Sequence, residues 1–239
     1  MGLYRNLFVY NFHIEMAMIN QLTFCTYNLN NYNEIIVDKK ANPEKSALEK
    51  MYSECTFLLL QETWHTENEF IRIFKNQFPD SECISASKME DDDIKLGRPY
   101  GGVSICYDSK LKCNVEPITT KSKSINALKV YLEGLSILLI NVYMPSSNTT
   151  DKLNEYSDIL QEISNTIIKH ETDFLIIGGD WNADPIRQDG LTKLFKEFIT
   201  NERLINALDL NIADIPYTYE RYNEADTHPI RSTLDHFLI

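Results

Sequence analysis

The chain is poor in basic residues, and this limits the partners that charge alone could recruit. Its 239 residues hold 23 Lys and Arg against 35 Asp and Glu, a formal net charge of −12. Contacts with phosphate normally come from Lys and Arg, so this balance argues against a general polyanion binder. Part of the acid lies in one run, Glu90–Asp93, which suits a solvated loop. A metal site also needs acidic residues, so the charge leaves that class of site open.

Long apolar segments are also missing. The most apolar run, Leu135–Met144, is far too short to span a bilayer. The first twenty residues hold only a short apolar patch, broken by Asn11, His13 and Glu15, which is too weak for a signal peptide. The five cysteines are scattered without a Cys-x-x-Cys pair, which is typical of reduced, buried thiols in a reducing compartment. We therefore expect an intracellular protein of the nucleus or cytoplasm, neither secreted nor bound to a membrane.

The chain shows no internal repeat and no low-complexity linker that would divide it. Its hydrophobic content of 43% is enough for a sizeable core. Residues 1–18 lack a clear hydrophobic period, which predicts a poorly ordered N-terminal extension. A single domain is predicted to follow over residues 19–239. We expect this domain to be a monomer.

Short apolar runs alternate with amphipathic segments along the chain, as in an α/β domain. The runs predict strands near residues 21–27, 57–60, 101–107, 114–118, 127–132, 135–142, 174–177, 217–219 and 232–239. Helical spacing predicts helices over residues 42–54, around Phe70, Phe74 and Phe78, over 153–167 and over 191–199.

The segment Phe174–Pro185, FLIIGGDWNADP, combines a buried strand with polar residues at its end. Gly178 and Gly179 let another part of the backbone approach closely. Asp180 and Asn182 are two residues apart, so on an extended chain they point the same way and place a carboxylate beside a carboxamide. This pattern suits an active site at a strand end, although a strand followed by an Asx turn would explain the same residues.

Other apolar strands also finish in a polar residue that could reach one common site. These residues are Asn28, Glu62, Tyr143 and Asp235. Each is weak evidence alone, because Glu62 also suits a solvated strand end and Tyr143 a half-buried ring. Their order along the chain, together with Asp180 and Asn182, is the stronger signal.

Seven motifs in this order resemble the endonuclease/exonuclease/phosphatase family over about residues 20–239. They are TYNLN, LLLQETW, YGGVSICY, INVYMPS, LIIGGDWNAD, YTY and STLDHFLI. Within the family, the chain is most similar to the endonuclease domains of non-LTR retrotransposons. The similarity to that branch lies in YGGVSI, NVYMPS and GGDWNAD, followed by a Tyr-Thr pair and then Ser-x-Leu-Asp-His.

This resemblance implies a fold and a chemistry. The fold would be an α/β sandwich of four layers, in which two packed mixed β-sheets carry helices on their outer faces. The chemistry would be that of a Mg²⁺-dependent phosphodiesterase, with Mn²⁺ as an alternative metal and DNA as the substrate. A full-length relative would carry a reverse transcriptase domain in cis.

The resemblance also assigns roles to single residues. Glu62 matches the glutamate that binds the metal, and Asn28 matches an amide near that metal. Asp180 matches the aspartate that orients or deprotonates the attacking water. Asn182 matches an amide that holds that acid and the phosphate. Tyr143 matches a phenol that contacts the scissile phosphate or the leaving oxygen.

Three further residues complete the expected site. Thr218 matches a residue at the DNA-facing surface. Asn30, which stands where some members have an acid, is assigned to substrate binding and leaves the metal more dependent on Glu62. Asp235 matches the aspartate that orients a catalytic histidine, as a carboxylate does when it fixes an imidazole tautomer.

The chain departs from the family pattern at the histidine that Asp235 would orient. Family members end in a Ser-Asp-His strand, and these 239 residues contain no such motif. We expect none of the histidines present to substitute, and His236 in particular follows Asp235 directly and would face the other way on a strand. The C-terminal strand is therefore expected to be missing, and the chain to be nearly inactive through truncation. Two alternatives stay open: a catalytically dead remnant, and a phosphatase or deadenylase of the same fold, which the negative charge fits slightly better.

Overall fold

The computed structural model describes residues 22–30, 43–90, 100–132, 134–210, 217–221 and 229–239. The expected N-terminal extension, residues 1–18, lies outside these ranges. Most of the acidic run at residues 90–93 also lies outside them, as do His13 and His228.

Strands and helices alternate along the first half of the chain and build the first sheet. The order is β1 (Phe24–Asn28), α1 (Pro43–Glu54), β2 (Phe57–Gln61), α2 (Glu67–Gln77), β3 (Ser81–Ala86) and β4 (Val103–Asp108). The strands lie in the order β1-β2-β4-β3. β1 runs parallel to β2, and the other two pairings are antiparallel, so the sheet is mixed.

The second half of the chain builds the second sheet. Its elements are β5 (Asn114–Ile118), β6 (Ile125–Leu132), β7 (Leu135–Tyr143), α3 (Thr150–Lys169), β8 (Phe174–Asp180), α4 (Gly190–Glu202), a 3₁₀ turn (Ala207–Leu210), β9 (Tyr219–Arg221), β10 (Ile230–Ser232) and β11 (Asp235–Leu238). The sheet has the order β11-β8-β7-β6-β5, while β9 and β10 form a separate pair. β7 and β8 are parallel and the remaining neighbours antiparallel, so this sheet is mixed too.

The two sheets pack face to face, and the position of β2 explains the apolar run over its first four residues. Phe57 and Leu59 pack between the sheets, against side chains such as Leu139 and Phe237. Leu58 and Leu60 point the other way and pack under the helices of the first sheet. A strand covered on both faces needs apolar side chains at every position, which explains the run FLLL.

Helices cover the outer face of each sheet. Phe70 and Phe74 of α2 are fully buried against the first sheet, as their spacing predicts. On the second sheet, Tyr156 and Ile163 of α3 and Phe195 of α4 pack over β7 and β8. The predicted four-layer sandwich of two mixed sheets with outer helices is therefore confirmed. Among the described helices, none combines the length and apolar character that crossing a membrane requires.

The structure differs from the sequence prediction at two places. β3 was not predicted, because SECISA is not a continuous apolar run; it is an edge strand that pairs with β4. The predicted last strand, residues 232–239, is divided between β10 and β11. Backbone hydrogen bonds of 2.8 and 3.0 Å join Ile205 and Ile239, so the segment after α4 covers part of the outer edge of β11.

All five cysteines are free thiols. A hydrogen bond with Cys55 and burial raise the pKa of Cys25, and burial together with a hydrogen bond to Cys83 raises the pKa of Cys106. Such thiols stay protonated and unreactive. Cys55, Cys83 and Cys113 are only half-buried, so the expectation of buried thiols is wrong for these three.

Candidate active site

One amide joins two carboxylates at the end of the sandwich where β1, β2 and β8 finish. Asn28 Nδ2 donates to Glu62 Oε1 at 2.8 Å and to Asp180 Oδ2 at 2.7 Å. Asn28 ends β1 and Asp180 ends β8, so this contact links the first sheet to the second. Asp180 is 5% exposed and Asn28 is 4% exposed, so their hydrogen bonds are shielded from competing water.

The other carboxylate oxygen of Asp180 is held by the loop that follows it. The backbone N–H of Asn182 donates to Asp180 Oδ1 at 3.0 Å, in an Asx-type turn. The Asn182 side chain turns away and donates to Met144 O at 2.8 Å. Asn182 has φ 49°, a left-handed conformation that asparagine tolerates better than most residues. The Asx turn and the site are therefore the same structure, not competing explanations.

Glu62 itself sits in a left-handed conformation, with φ 51°, directly after β2. This conformation costs a non-glycine residue roughly 1–2 kcal/mol. The next two residues are fixed from the β4 side: Thr63 N donates to Gly102 O at 3.4 Å and Trp64 N donates to Gly101 O at 3.0 Å. A Cβ on Gly102 would lie 2.1 Å from Thr63 Oγ1, so only glycine permits this close approach.

Tyr143 and Asp235 flank Asp180 on the two neighbouring strands. In the sheet register, Tyr143 of β7 and Asp235 of β11 are both opposite Asp180 of β8. Residues paired in this way place their side chains on the same face of the sheet. The half-buried Tyr143 also lines a surface cavity next to the carboxylates. The structure therefore brings Asn28, Glu62, Tyr143, Asp180, Asn182 and Asp235 to one end of the sandwich.

The two residues assigned to substrate binding have different surroundings. Thr218 is 3% exposed, and its Oγ1 accepts from Leu234 N at 2.8 Å and Asp235 N at 3.1 Å. Its hydroxyl thus supports the start of β11 behind Asp235, rather than facing outward as the resemblance implied. Asn30 is half-buried, and its N–H donates to Asn28 Oδ1 at 3.1 Å, which helps to orient the bridging amide.

A buried amide pair supports the site from between the sheets, and the sequence analysis did not identify it. Gln61 Nε2 donates to Asn141 Oδ1 at 2.7 Å and to Thr26 Oγ1 at 2.9 Å. Asn141 Nδ2 donates in turn to the carbonyl oxygens of Leu60 and Ser104, both at 3.0 Å. Gln61 directly precedes Glu62, so this network fixes the end of β2. The sequence does contain a signal for this pair, because Gln61 and Asn141 are polar residues in mostly apolar strands. Buried amides are nearly always hydrogen-bonded, so such residues indicate a buried network.

The three described histidines have partners of their own. His236 is fully buried; its Nε2 donates to Ala183 O at 2.9 Å and its Nδ1 accepts from Asn206 Nδ2 at 3.0 Å. Its ring packs against Phe195, on the face of β11 opposite to Asp235, as the strand alternation predicts. His65 Nδ1 lies 3.1 Å from Glu69 Oε2, and His170 caps the C-terminus of α3.

The donor atoms of the cluster suit a hard divalent cation. Within the described ranges, no group of three or more His, Cys, Asp or Glu side chains converges to hold a metal. Mg²⁺ needs only one or two carboxylates, because water and substrate phosphate complete its shell. The carboxylates of Glu62 and Asp180, which Asn28 Nδ2 holds next to each other, supply oxygen donors of this kind. Two carboxylates at one amide also concentrate negative charge, which a cation would offset.

Comparison with known proteins identifies the family of the chain. The model of the Endonuclease/Exonuclease/phosphatase family matches residues 25–239, and the chain belongs to that family. No curated protein sequence matches the chain significantly.

Solved structures show the same fold at low sequence identity. The endonuclease domain of TRAS1, a telomere-specific non-LTR retrotransposon, has a TM-score of 0.60 at 16% identity, over 90% of this chain and 83% of that one. An AP endonuclease from Archaeoglobus fulgidus has a TM-score of 0.62 at 16% identity, over 91% and 86%. The human nocturnin catalytic domain has a TM-score of 0.53 at 18% identity, over 80% and 71%.

Proposed function

We propose that this chain is a Mg²⁺-dependent phosphodiesterase that nicks DNA, of the kind found in retrotransposon proteins, and that its domain spans residues 19–239. The observation that carries the proposal is the Asn28 amide between the Glu62 and Asp180 carboxylates. The likeness to the TRAS1 endonuclease domain and to an AP endonuclease supports DNA as the substrate.

Glu62 would hold the metal, Mg²⁺ or alternatively Mn²⁺, with Asn28 beside that metal and its Nδ2 on the Glu62 carboxylate. When bound there, the cation supplies positive charge that stabilises the phosphate and the leaving oxygen. Glu62 suits this role because hydrogen bonds fix the residues on both sides of it, and Asn28 Nδ2 holds its carboxylate.

Asp180 acts as the general base for the attacking water. Hydrogen bonds from Asn28 and from the Asn182 N–H hold its two oxygens, so the carboxylate is oriented before substrate binds. The water oxygen bonds to phosphorus as the bond from phosphorus to the 3′ oxygen breaks, and the water proton passes to Asp180. Tyr143 contacts the phosphate or the leaving 3′ oxygen, and that oxygen takes a proton from solvent to become a 3′-hydroxyl. A reverse transcriptase domain in cis would use that hydroxyl as a primer.

Asp235 has a supporting role in this scheme, beside Asp180 and held through Thr218. In the family it would orient a histidine, but His236, its neighbour in sequence, faces the opposite side of β11. A catalytically silent domain is therefore the second candidate.

Nicking of supercoiled plasmid with Mg²⁺, compared with EDTA, tests the proposal. Asp180→Asn should lower the nicking rate by about 100- to 10,000-fold, the usual contribution of a general base. Asp108→Asn is the matched control, because Asp108 ends β4 at the opposite end of the sandwich and is exposed. Equal nicking by wild type and Asp180→Asn would contradict the proposal. Release of inorganic phosphate or trimming of poly(A), without nicking, would instead favour a phosphatase or deadenylase.

A further inference from the structure

A groove lined by lysines opens beside the carboxylate cluster. Its cavity has a volume of about 260 Å³, and Lys88, Lys123 and Lys152 are among its lining residues. These lysines come from the segment after β3, the loop before β6 and the first turn of α3, so no basic run marks them in the sequence. Lys88 and Lys152 share Glu155, and Lys123 is paired with Glu67, so the three lysines outnumber their acidic partners by one in a chain of net charge −12.

The groove shares two walls with the candidate active site. One wall contains Gly101 and Gly102, whose carbonyl oxygens hold the loop after Glu62. The other contains Tyr143 and Met144, and Met144 N donates to Asp180 O at 2.9 Å. A polymer chain that passes the carboxylates can therefore continue directly into the groove.

Glu155 lies between two of the lysines and offsets one of their two positive charges. Lys88 Nζ donates to Glu155 Oε1, and Lys152 Nζ donates to Oε2 at 2.7 Å. Burial acts to raise the pKa of Glu155, but the hydrogen bonds from Lys152 and Lys88 outweigh it and hold the pKa below its ordinary value. The side chains of all three residues are between 28% and 48% exposed, and ion pairs of this kind add little to stability. A phosphate can thus replace the carboxylate at small cost.

We infer that the groove binds a backbone phosphate of the nucleic-acid strand flanking the scissile phosphate, and that Glu155 is an internal competitor that weakens this binding. The inference rests on the proposed function, because it takes the carboxylate cluster as the place where the strand is cut. Lysine is a flexible point charge that suits phosphate contact. Tyr100, half-exposed at the same groove, offers a ring on which a neighbouring base can stack, which favours a strand over a free phosphate.

Binding of a fluorescein-labelled DNA duplex, measured by anisotropy in EDTA over a series of NaCl concentrations, tests the inference. Lys88→Gln and Lys152→Gln should each weaken binding several-fold and lower the slope of log K against log salt by about one. Glu155→Gln should have the opposite effect, with tighter binding and a steeper slope, because it releases both lysines.

The matched control is Glu197→Gln on α4. Glu197 lies 3.9 Å from Lys193 on an exposed helix face, and its substitution changes the net charge by the same amount as Glu155→Gln. If the two glutamate variants changed DNA binding equally, the change would depend only on net charge, and the inference would be overturned. Displacement of the duplex by an equal concentration of inorganic phosphate would also overturn it, since the site would then bind free phosphate.

The plasmid assay separates this inference from the proposed function. If nicking depends on Asp180 but the lysine variants bind DNA as wild type does, only the inference about the groove is refuted. Nicking that does not depend on Asp180 would refute the proposed chemistry, while the anisotropy data would still decide whether the groove binds the strand. Thermal melting of each variant establishes that it is folded.

Discussion

His236 should make the stability of this protein strongly dependent on pH. The ring is fully buried, and burial lowers its pKa from 6.5 to about 4. Its Nε2–H donates to Ala183 O, and its Nδ1 accepts from Asn206 Nδ2, so the neutral ring fits the site. A proton added at Nδ1 would point at the Asn206 N–H₂ group, which is itself a donor. The folded state therefore excludes the imidazolium form.

The size of the effect follows from the two pKa values. Below pH 6.5 the unfolded chain takes up a proton that the folded chain refuses until about pH 4. The contribution of neutral His236 to stability is fully present above pH 6.5 and is lost as the pH falls from 6.5 to about 4. At about 1.4 kcal/mol per pH unit, the loss is about 2 kcal/mol by about pH 5 and about 3 kcal/mol at the acid end.

Urea unfolding of wild type and His236→Gln, from about pH 7.5 to about pH 5, measures the loss of stability caused by His236. The glutamine variant should be less stable near neutral pH but should lose about 2 kcal/mol less than wild type over the interval. Phe198→Leu is the control, because it weakens packing against Trp181 in the same layer without removing an imidazole. Parallel curves for wild type and His236→Gln would refute the reasoning. Should the variant not fold, an NMR titration of the wild-type ring reads the pKa directly, and a value near 6.5 would refute it equally.

Three further substitutions examine the site and its support. Glu62→Gln should weaken Mg²⁺ binding by about tenfold or more in calorimetry, because a neutral amide replaces a charged ligand; equal affinity would place the metal elsewhere. Gly179→Ala should destabilise more than Gly134→Ala in urea unfolding: both glycines have positive φ, but only the Cβ at 179 meets a backbone oxygen of β7, at 2.1 Å. Gln61→Leu should cost about 1–3 kcal/mol, because it removes a donor from buried Asn141; unchanged stability would show this contact to be dispensable.

The sequence predicts this fold well wherever a strand is buried on both faces. The apolar runs of β2, β7 and β8 are visible because helices cover one side of each strand and the other sheet covers the second. The ends of these strands carry Glu62, Tyr143 and Asp180, so the same pattern also located the candidate site. Residues that are far apart in sequence meet there because the strands share one edge of the sandwich.

The remaining features could not be predicted because they depend on which surfaces meet. β3 is an edge strand with a half-buried, partly polar sequence, so it lacks a periodic signal. The resemblance assigned Thr218 to the DNA-facing surface, yet Thr218 is buried behind Asp235, and its N–H donates to Ser232 O. Lys88, Lys123 and Lys152 stand in three separate segments, and only the folded chain brings them into one groove.

The position of Glu62 shows why the motif residues alone do not define the site. Its left-handed backbone is unfavourable for glutamate, so the surrounding structure must hold it there. On one side, Gln61 is fixed by Asn141 of the second sheet; on the other, Thr63 and Trp64 are fixed by the glycines before β4. These contacts come from strands of both sheets, so the direction of the Glu62 carboxylate is a property of the packed sandwich. Loss of sheet packing should therefore remove metal binding before it removes the strands themselves.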